Sequence, residues 1–166
     1  MRWSKVRQLT EASFADSVRG RVRLNVTTDD PRTMGRMECL RSSIIVDRRE
    51  LVRLERHNRK LVVTVLDQNG RVTKEVRFLV NPYDGSALSA RETENVMDLT
   101  TACWQYLHSA VGESLASADP FVQSLAILSA KVGKQRLRRL ATTPLHLMPA
   151  EFLKLRLAAE HSHSAA

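Results

Sequence analysis

Cysteine, aromatic residues and long apolar runs are all scarce in this 166-residue chain, and each scarcity removes a class of protein. The two cysteines, Cys39 and Cys103, are isolated. That excludes a disulfide framework and predicts reduced, buried thiols. No run reaches the roughly 18 apolar residues of a membrane-spanning helix, so no membrane partner is expected. Met1-Arg2-Trp3-Ser4-Lys5 lacks the apolar stretch of a secretory signal, and a cytoplasmic protein is expected. The sequence contains no metal-ligand cluster, no nucleophile motif and no glycine-rich phosphate loop. It therefore assigns no catalytic residue, no cofactor and no metal. Cys103 and His108 are poorly spaced for one helix face, and His57, His146, His161 and His163 are scattered.

What is present is an apolar fraction of 43%, enough to fill one ordinary core, and a net charge of +8. Residues 1–60 carry fifteen Lys/Arg against eight Asp/Glu, residues 61–96 four against five, and residues 97–166 seven against five. The excess lies mostly in the first third. Twenty of the twenty-six cations are Arg, which suits forked contacts to phosphate or carboxylate, although a GC-rich coding sequence gives the same bias.

The periodicity changes once along the chain. Trp3, Val6, Thr10 and Phe14, with Leu9 beside them, recur at helical spacing and predict an N-terminal helix whose aromatic ends lie on the core. Arg21 to Thr27 alternates in the manner of a half-buried strand, with Arg21 and Arg23 outward. Ile44-Ile45-Val46 continues the extended stretch that begins near Gly35, Asp47-Arg48-Arg49 turns it, and Glu50–His57 fits a strand face through Val52 and Leu54 or a short helix through Leu51 and Leu54, the strand being the preferred reading. Leu61–Leu66 and Val72–Val80 flank an Asn69-Gly70 turn as an antiparallel pair. Ser86 to Asn95 reads as a mobile connection. Beyond it, Leu99 to Ala116 predicts one helix, and Asp119-Pro120 a strong helix start for a face of Phe121, Leu125, Leu128 and Val132. Gly133 reads as a left-handed C-cap, Lys134–Leu140 as a short basic helix and Pro149 as the start of a last one, with residues 161–166 frayed. The fold class is α+β: an N-terminal helix, a mainly antiparallel sheet, then three to four helices. We expect one domain over residues 1–160, with helix plus sheet to about residue 82 and the helical half, 97–160, packed on it.

Trp3-Ser4-Lys5, the stretch from Phe14-Ala15-Asp16-Ser17 to Gly20-Arg21-Val22, Ala102-Cys103-Trp104-Gln105-Tyr106-Leu107, and Asp119-Pro120 with Val132-Gly133-Lys134 and Arg136-Leu137 together resemble an uncharacterised conserved bacterial family of small cytoplasmic proteins. The resemblance covers both ends and not residues 29–95. It implies a cytoplasmic single domain and carries no activity.

Lys131, Lys134, Arg136, Arg138 and Arg139 form the densest cation group, with Leu137 and Leu140 among them. They read as an anion or nucleic-acid contact, or as the solvated face of an amphipathic helix. Arg21 and Arg23 read as part of a basic sheet face with Arg36, Arg41 or Arg53, or as the polar residues that outward strand positions require anyway. Trp3 and Trp104 are candidate partner anchors or core aromatics. The function read from these residues is a non-enzymatic basic binding or adaptor module whose partner is nucleic acid or an acidic protein surface, with room for a small homo-oligomer. The alternatives are an enzyme or small-ligand binder with a pocket between sheet and helices, using His108 or Glu113 with an Arg, and a structural subunit of a larger assembly.

Overall fold

A computed structural model describes residues 2–28, 40–57, 60–79 and 99–164. Cys39, Arg36 and the stretch from Ser86 to Asn95 lie outside these residues. The architecture is α+β, as read from the sequence. It divides into two compact units, residues 21–99 and residues 1–20 with 100–166.

The first unit is a five-stranded antiparallel meander of β1 (Val22–Thr28), β2 (Leu40–Val46), β3 (Arg49–His57), β4 (Lys60–Leu66) and β5 (Val72–Leu79), in sequence order. Alternation sorts the residues between its faces. The register aligns Leu24 with Ile44, Ile44 with Val52 and Val52 with Val65, and all four side chains are buried. On the opposite face a polar row crosses every strand, from Asn25 through Ser43, Arg53 and Thr64 to Glu75. Arg53 lies over this row and donates through Nε to Glu50 (2.9 Å). Bulges interrupt the pairing beside Ile44/Ile45 and Val65/Leu66, near the two hairpin ends that close this side of the sheet.

Asp47 and Arg48 form the two-residue loop between β2 and β3, with φ of 47° and 68°. Both central residues of such a turn must be left-handed to match the strand twist, which is why Asn-Gly is favoured there. Asp47 is held by Arg21, whose Nε and Nη2 meet its two carboxylate oxygens at 2.9 and 2.7 Å. Arg48 has a Cβ where glycine would be relaxed. Arg48→Gly is expected to stabilise the sheet by about 0.5–1 kcal/mol, read as a higher midpoint in urea unfolding followed by circular dichroism. A lower midpoint would mean that the Arg48 side chain contributes more than its backbone strain costs.

The second unit holds α1 (Trp3–Ala12), α2 (Leu99–His108), α3 (Val111–Leu115), α4 (Pro120–Leu128), α5 (Lys134–Leu140) and α6 (Leu147–Ser164). In α1, Val6 and Thr10 are buried, but Leu9 is largely exposed and Trp3 only half-buried, so the helix docks by a narrower stripe than its periodicity predicts. Phe14, just past its end, is fully buried and forms an antiparallel bridge with Ser129.

The helix expected from Leu99 to Ala116 is broken. Ala110 is extended, and Glu113 Oε2 accepts the Ala110 N–H at 3.1 Å, which starts α3 anew. Alanine has no side-chain acceptor to return the bond, so this is half of a capping box. The break brings the helices after the sheet to five among the described residues. Asp119 starts α4 as its pattern requires, with Oδ1 accepting from the N–H groups of Phe121 (2.8 Å) and Val122 (2.9 Å). Every α4 residue except Gln123 is buried. α4 ends at Leu128, so Gly133 does not cap it. Gly133 is instead the extended N-cap of α5, at φ −77° and ψ 161°. α6 runs on to Ser164, beyond the point at which residues 161–166 were read as frayed, with His161 bonded back to Leu157 O at 2.6 Å.

Candidate anion-binding surface

α5 is a short amphipathic helix anchored by one fully buried side chain, Leu137. Its cations, and Lys131 in the preceding turn, are all exposed. From residue 120 to residue 150 the chain contains five Lys/Arg and no Asp or Glu, so nothing local neutralises them. Lys134 meets an acid from elsewhere, Glu160 Oε2 at 3.5 Å. Lys131, Arg136, Arg138 and Arg139 have no ion-pair partner among the described residues. Arg138 and Arg139 occupy the last turn of α5, where positive charge complements the helix dipole. Arg136 reaches across to α3, its Nη2 about 3.5 Å from where a Cβ on Gly112 would stand.

Behind this surface lies a polar cluster that sequence reading missed. Arg156 is 4% exposed. It donates through Nη1 to Leu128 O (3.1 Å), and its Nη2 lies 2.9 Å from Glu160 Oε1. The same carboxylate oxygen accepts the Ser17 hydroxyl at 2.7 Å. Burial holds the Arg156 guanidinium below its ordinary pKa. Burial also pushes the Glu160 carboxyl up, but the Ser17 hydroxyl, Arg156 and Lys134 outweigh it and hold the group below its usual value. The cluster joins the segment after α1, the end of α4, the start of α5 and α6. The only sequence signal for it is the i,i+4 spacing of Arg156 and Glu160 on one helix face.

Trp104 is 43% exposed. Its ring stacks with His108, centroids 3.9 Å apart and planes tilted by 32°, and His108 Nδ1 lies 2.8 Å from Trp104 O. Its helix-mate Tyr106 turns inward and shares a hydrogen bond with Ser13 Oγ at 2.8 Å. Cys103 is fully buried. His108 and Glu113, the acid–base candidates, are thus engaged in local helix bonds.

The sheet arginines separate. Arg21 precedes β1 rather than lying on it, and its partnership with Asp47, the first cause of its raised pKa, also holds the Asp47 carboxyl below the usual carboxylate range. Arg23 is exposed on the polar face with Arg53, but Glu50 and Glu75 share that face, which makes its charge mixed. Arg41 stands opposite Glu55 in the backbone register. At the hairpin ends a cleft of about 340 Å³ opens beside Asp47, Arg49, Glu50, Leu51, Leu66 and Asp67. Its charged groups are already engaged: Asp47 with Arg21, Glu50 with Arg53, Asp67 with the N–H groups of Asn69 and Arg71, and Arg49 with Gln68 O. Among the described residues no group of His, Cys, Asp or Glu could hold a metal ion, and no helix is long and apolar enough to cross a membrane.

Of the residues singled out from sequence, the structure gathers Lys131, Lys134, Arg136, Arg138 and Arg139 around α5. It leaves Arg21 and Arg23 in the sheet unit and places Trp3 on α1 and Trp104 on α2. No curated protein and no solved structure matches the chain significantly. A family model does match, over residues 2–157, and the chain accordingly belongs to the SF0329 protein family.

Proposed function

We propose that this protein is a non-enzymatic binding module whose α5 surface meets a polyanionic partner. The observation that carries the reading is the set of exposed cations Lys131, Arg136, Arg138 and Arg139, which have no ion-pair partner among the described residues and lie in a stretch without acids. Elsewhere four arginines are neutralised, Arg19 by Asp16, Arg21 by Asp47, Arg53 by Glu50 and Arg156 by Glu160, and other arginines unpaired among the described residues, such as Arg7, Arg23 and Arg71, stand apart in the sequence, whereas those of α5 are clustered. Unpaired, clustered guanidinium groups keep their donors for a ligand, and phosphate accepts them in bidentate fashion. In a bacterial cytoplasm, the setting we read for the chain, nucleic acid is an abundant ligand of that chemistry.

The test is binding of the purified protein to DNA, RNA and heparin across a salt series. We expect micromolar or tighter binding near physiological salt. Replacing Lys131, Arg136, Arg138 and Arg139 together by Gln is expected to reduce the slope of log K against log salt by about 3, near 0.7–0.9 per lost contact. Lys134 is left in place because Glu160 occupies it. An unchanged slope and affinity would remove α5 from the interface, and absence of binding at low salt would refute the reading.

A further inference from the structure

We propose that Trp104, backed by His108, is a base-stacking platform that makes the polyanion a single-stranded nucleic acid. The inference rests on the reading of α5 as the phosphate-contacting surface and names the ligand of that surface. α2 buries Leu99, Ala102, Cys103 and Tyr106, so its apolar needs are met without Trp104. The indole is nevertheless 43% exposed, one of three large hydrophobic side chains in that state among the described residues. Leu9 and Val72 are the others, and neither has a flat π-face.

The exposed indole is also held in place. His108 stacks on it at 3.9 Å and is tied by its own ring nitrogen to Trp104 O, so the pair offers a rigid ledge with little side-chain entropy left to lose on binding. A base can stack on such a ledge whatever its identity, because every base has a π-face. The phosphate-binding charge is nearby. Arg136 Nη2 approaches Gly112, which is four residues after His108, and four residues of even fully extended chain span about 14 Å. The short chain between them limits how far ledge and guanidinium can stand apart within the helical unit, with Arg138 and Arg139 following on α5. A stacking aromatic beside a basic track is the combination that single strands require. A duplex keeps its bases stacked and paired and gains only the charge.

The experiment compares a short fluorescent oligothymidine, its duplex with oligoadenine, and heparin, which has charge but no bases. The proteins are wild type, Trp104→Ala, Trp104→Phe and the fourfold Gln variant at residues 131, 136, 138 and 139. Wild type is expected to prefer the single strand over the duplex. Trp104→Ala should weaken single-strand binding about 5- to 100-fold, leave heparin affinity and the salt slope unchanged, and be largely rescued by Trp104→Phe. Tryptophan emission should fall on single-strand binding in wild type and not in Trp104→Ala, which keeps Trp3. Equal affinity of wild type and Trp104→Ala for the single strand, or equal single-strand and duplex affinity with unquenched emission, would overturn the inference while leaving the α5 reading intact if heparin still binds. Failure of all three ligands to bind would overturn both. A partner that proves to be an acidic protein surface, insensitive to Trp104→Ala, counts against the platform as well.

Discussion

Arg156→Ala is expected to destabilise the helical unit by about 3–5 kcal/mol, the range for breaking a buried ion pair from one side. The Arg156 side chain is 4% exposed and that of Glu160 14%. Truncating Arg156 strips Glu160 of its closest countercharge, while the Lys134 ammonium at 3.5 Å and the Ser17 hydroxyl at 2.7 Å stay in place. Leu128 O loses one of two donors and keeps the Ala15 N–H at 2.9 Å. The penalty is therefore mainly that of a stranded carboxylate. Arg156→Met with Glu160→Gln in the same chain removes both charges and keeps volume, and it should recover much of the loss. Both tryptophans belong to the helical unit, so fluorescence-detected urea unfolding reads that unit. A cost below about 1 kcal/mol for Arg156→Ala would show that the cluster carries little of the stability.

The same cluster sets a pH dependence with a fixed sign. The Glu160 carboxyl is held below its ordinary value in the folded chain. Its contribution is therefore complete above the unfolded-state pKa of about 4.3 and lost as pH falls through the lower folded value. Asp47 behaves alike in the sheet unit, with less at stake because its side chain is 53% exposed. Glu160→Gln should flatten the acid limb of the helical unit and leave that of the sheet in place.

Local chemistry was legible in the sequence and long-range geometry was not. Asp119-Pro120 names its own structure because an acceptor before a proline suits a helix start whatever surrounds it, and Asn69-Gly70 names a turn for a similar reason, with Gly70 at φ 75°. The basic run of α5 was legible as a cluster because its members are neighbours in the chain. Gly133 was misread because a glycine's φ is not encoded by its identity; here it is −77°, and the residue starts a helix instead of ending one. The break after His108 rests on Glu113 reaching back to a backbone N–H at a position where alanine gives no cue. The Ser17–Glu160–Arg156 cluster joins residues from opposite ends of the chain, and no pattern shorter than the fold contains it. The stacking of Trp104 on His108 was half visible as an i,i+4 pair, but that the indole faces outward depends on Tyr106, Cys103 and Ala102 taking the inward positions.

Phe14→Ala is expected to cost the helical unit a further 3–5 kcal/mol or so, measured against wild type, and for a different reason. Phe14 is fully buried at a place where backbone and side chain act together. Its segment pairs with the end of α4 and the turn after it through Ala15 N to Leu128 O (2.9 Å) and Ala130 N to Ser13 O (3.0 Å), while Arg19 donates to Phe14 O through Nε and Nη2 at 3.1 and 2.9 Å. The ring thus fills the core at the point where a short antiparallel clasp fastens the N-terminal segment to the end of α4. Removing it leaves a cavity that a hydrogen-bonded backbone cannot readily collapse to fill, which places the cost high in its range. Phe14→Leu keeps most of the volume and should cost less than about 1.5 kcal/mol. In a Trp104→Phe background Trp3 is the remaining reporter and sits on α1, so its transition should coincide with that of the α-helical circular dichroism if the clasp makes α1 part of the same cooperative unit. Separate transitions, or a Phe14→Ala cost no larger than that of Phe14→Leu, would mean that α1 is an appendage and that the cluster at Arg156 holds the helical unit without it.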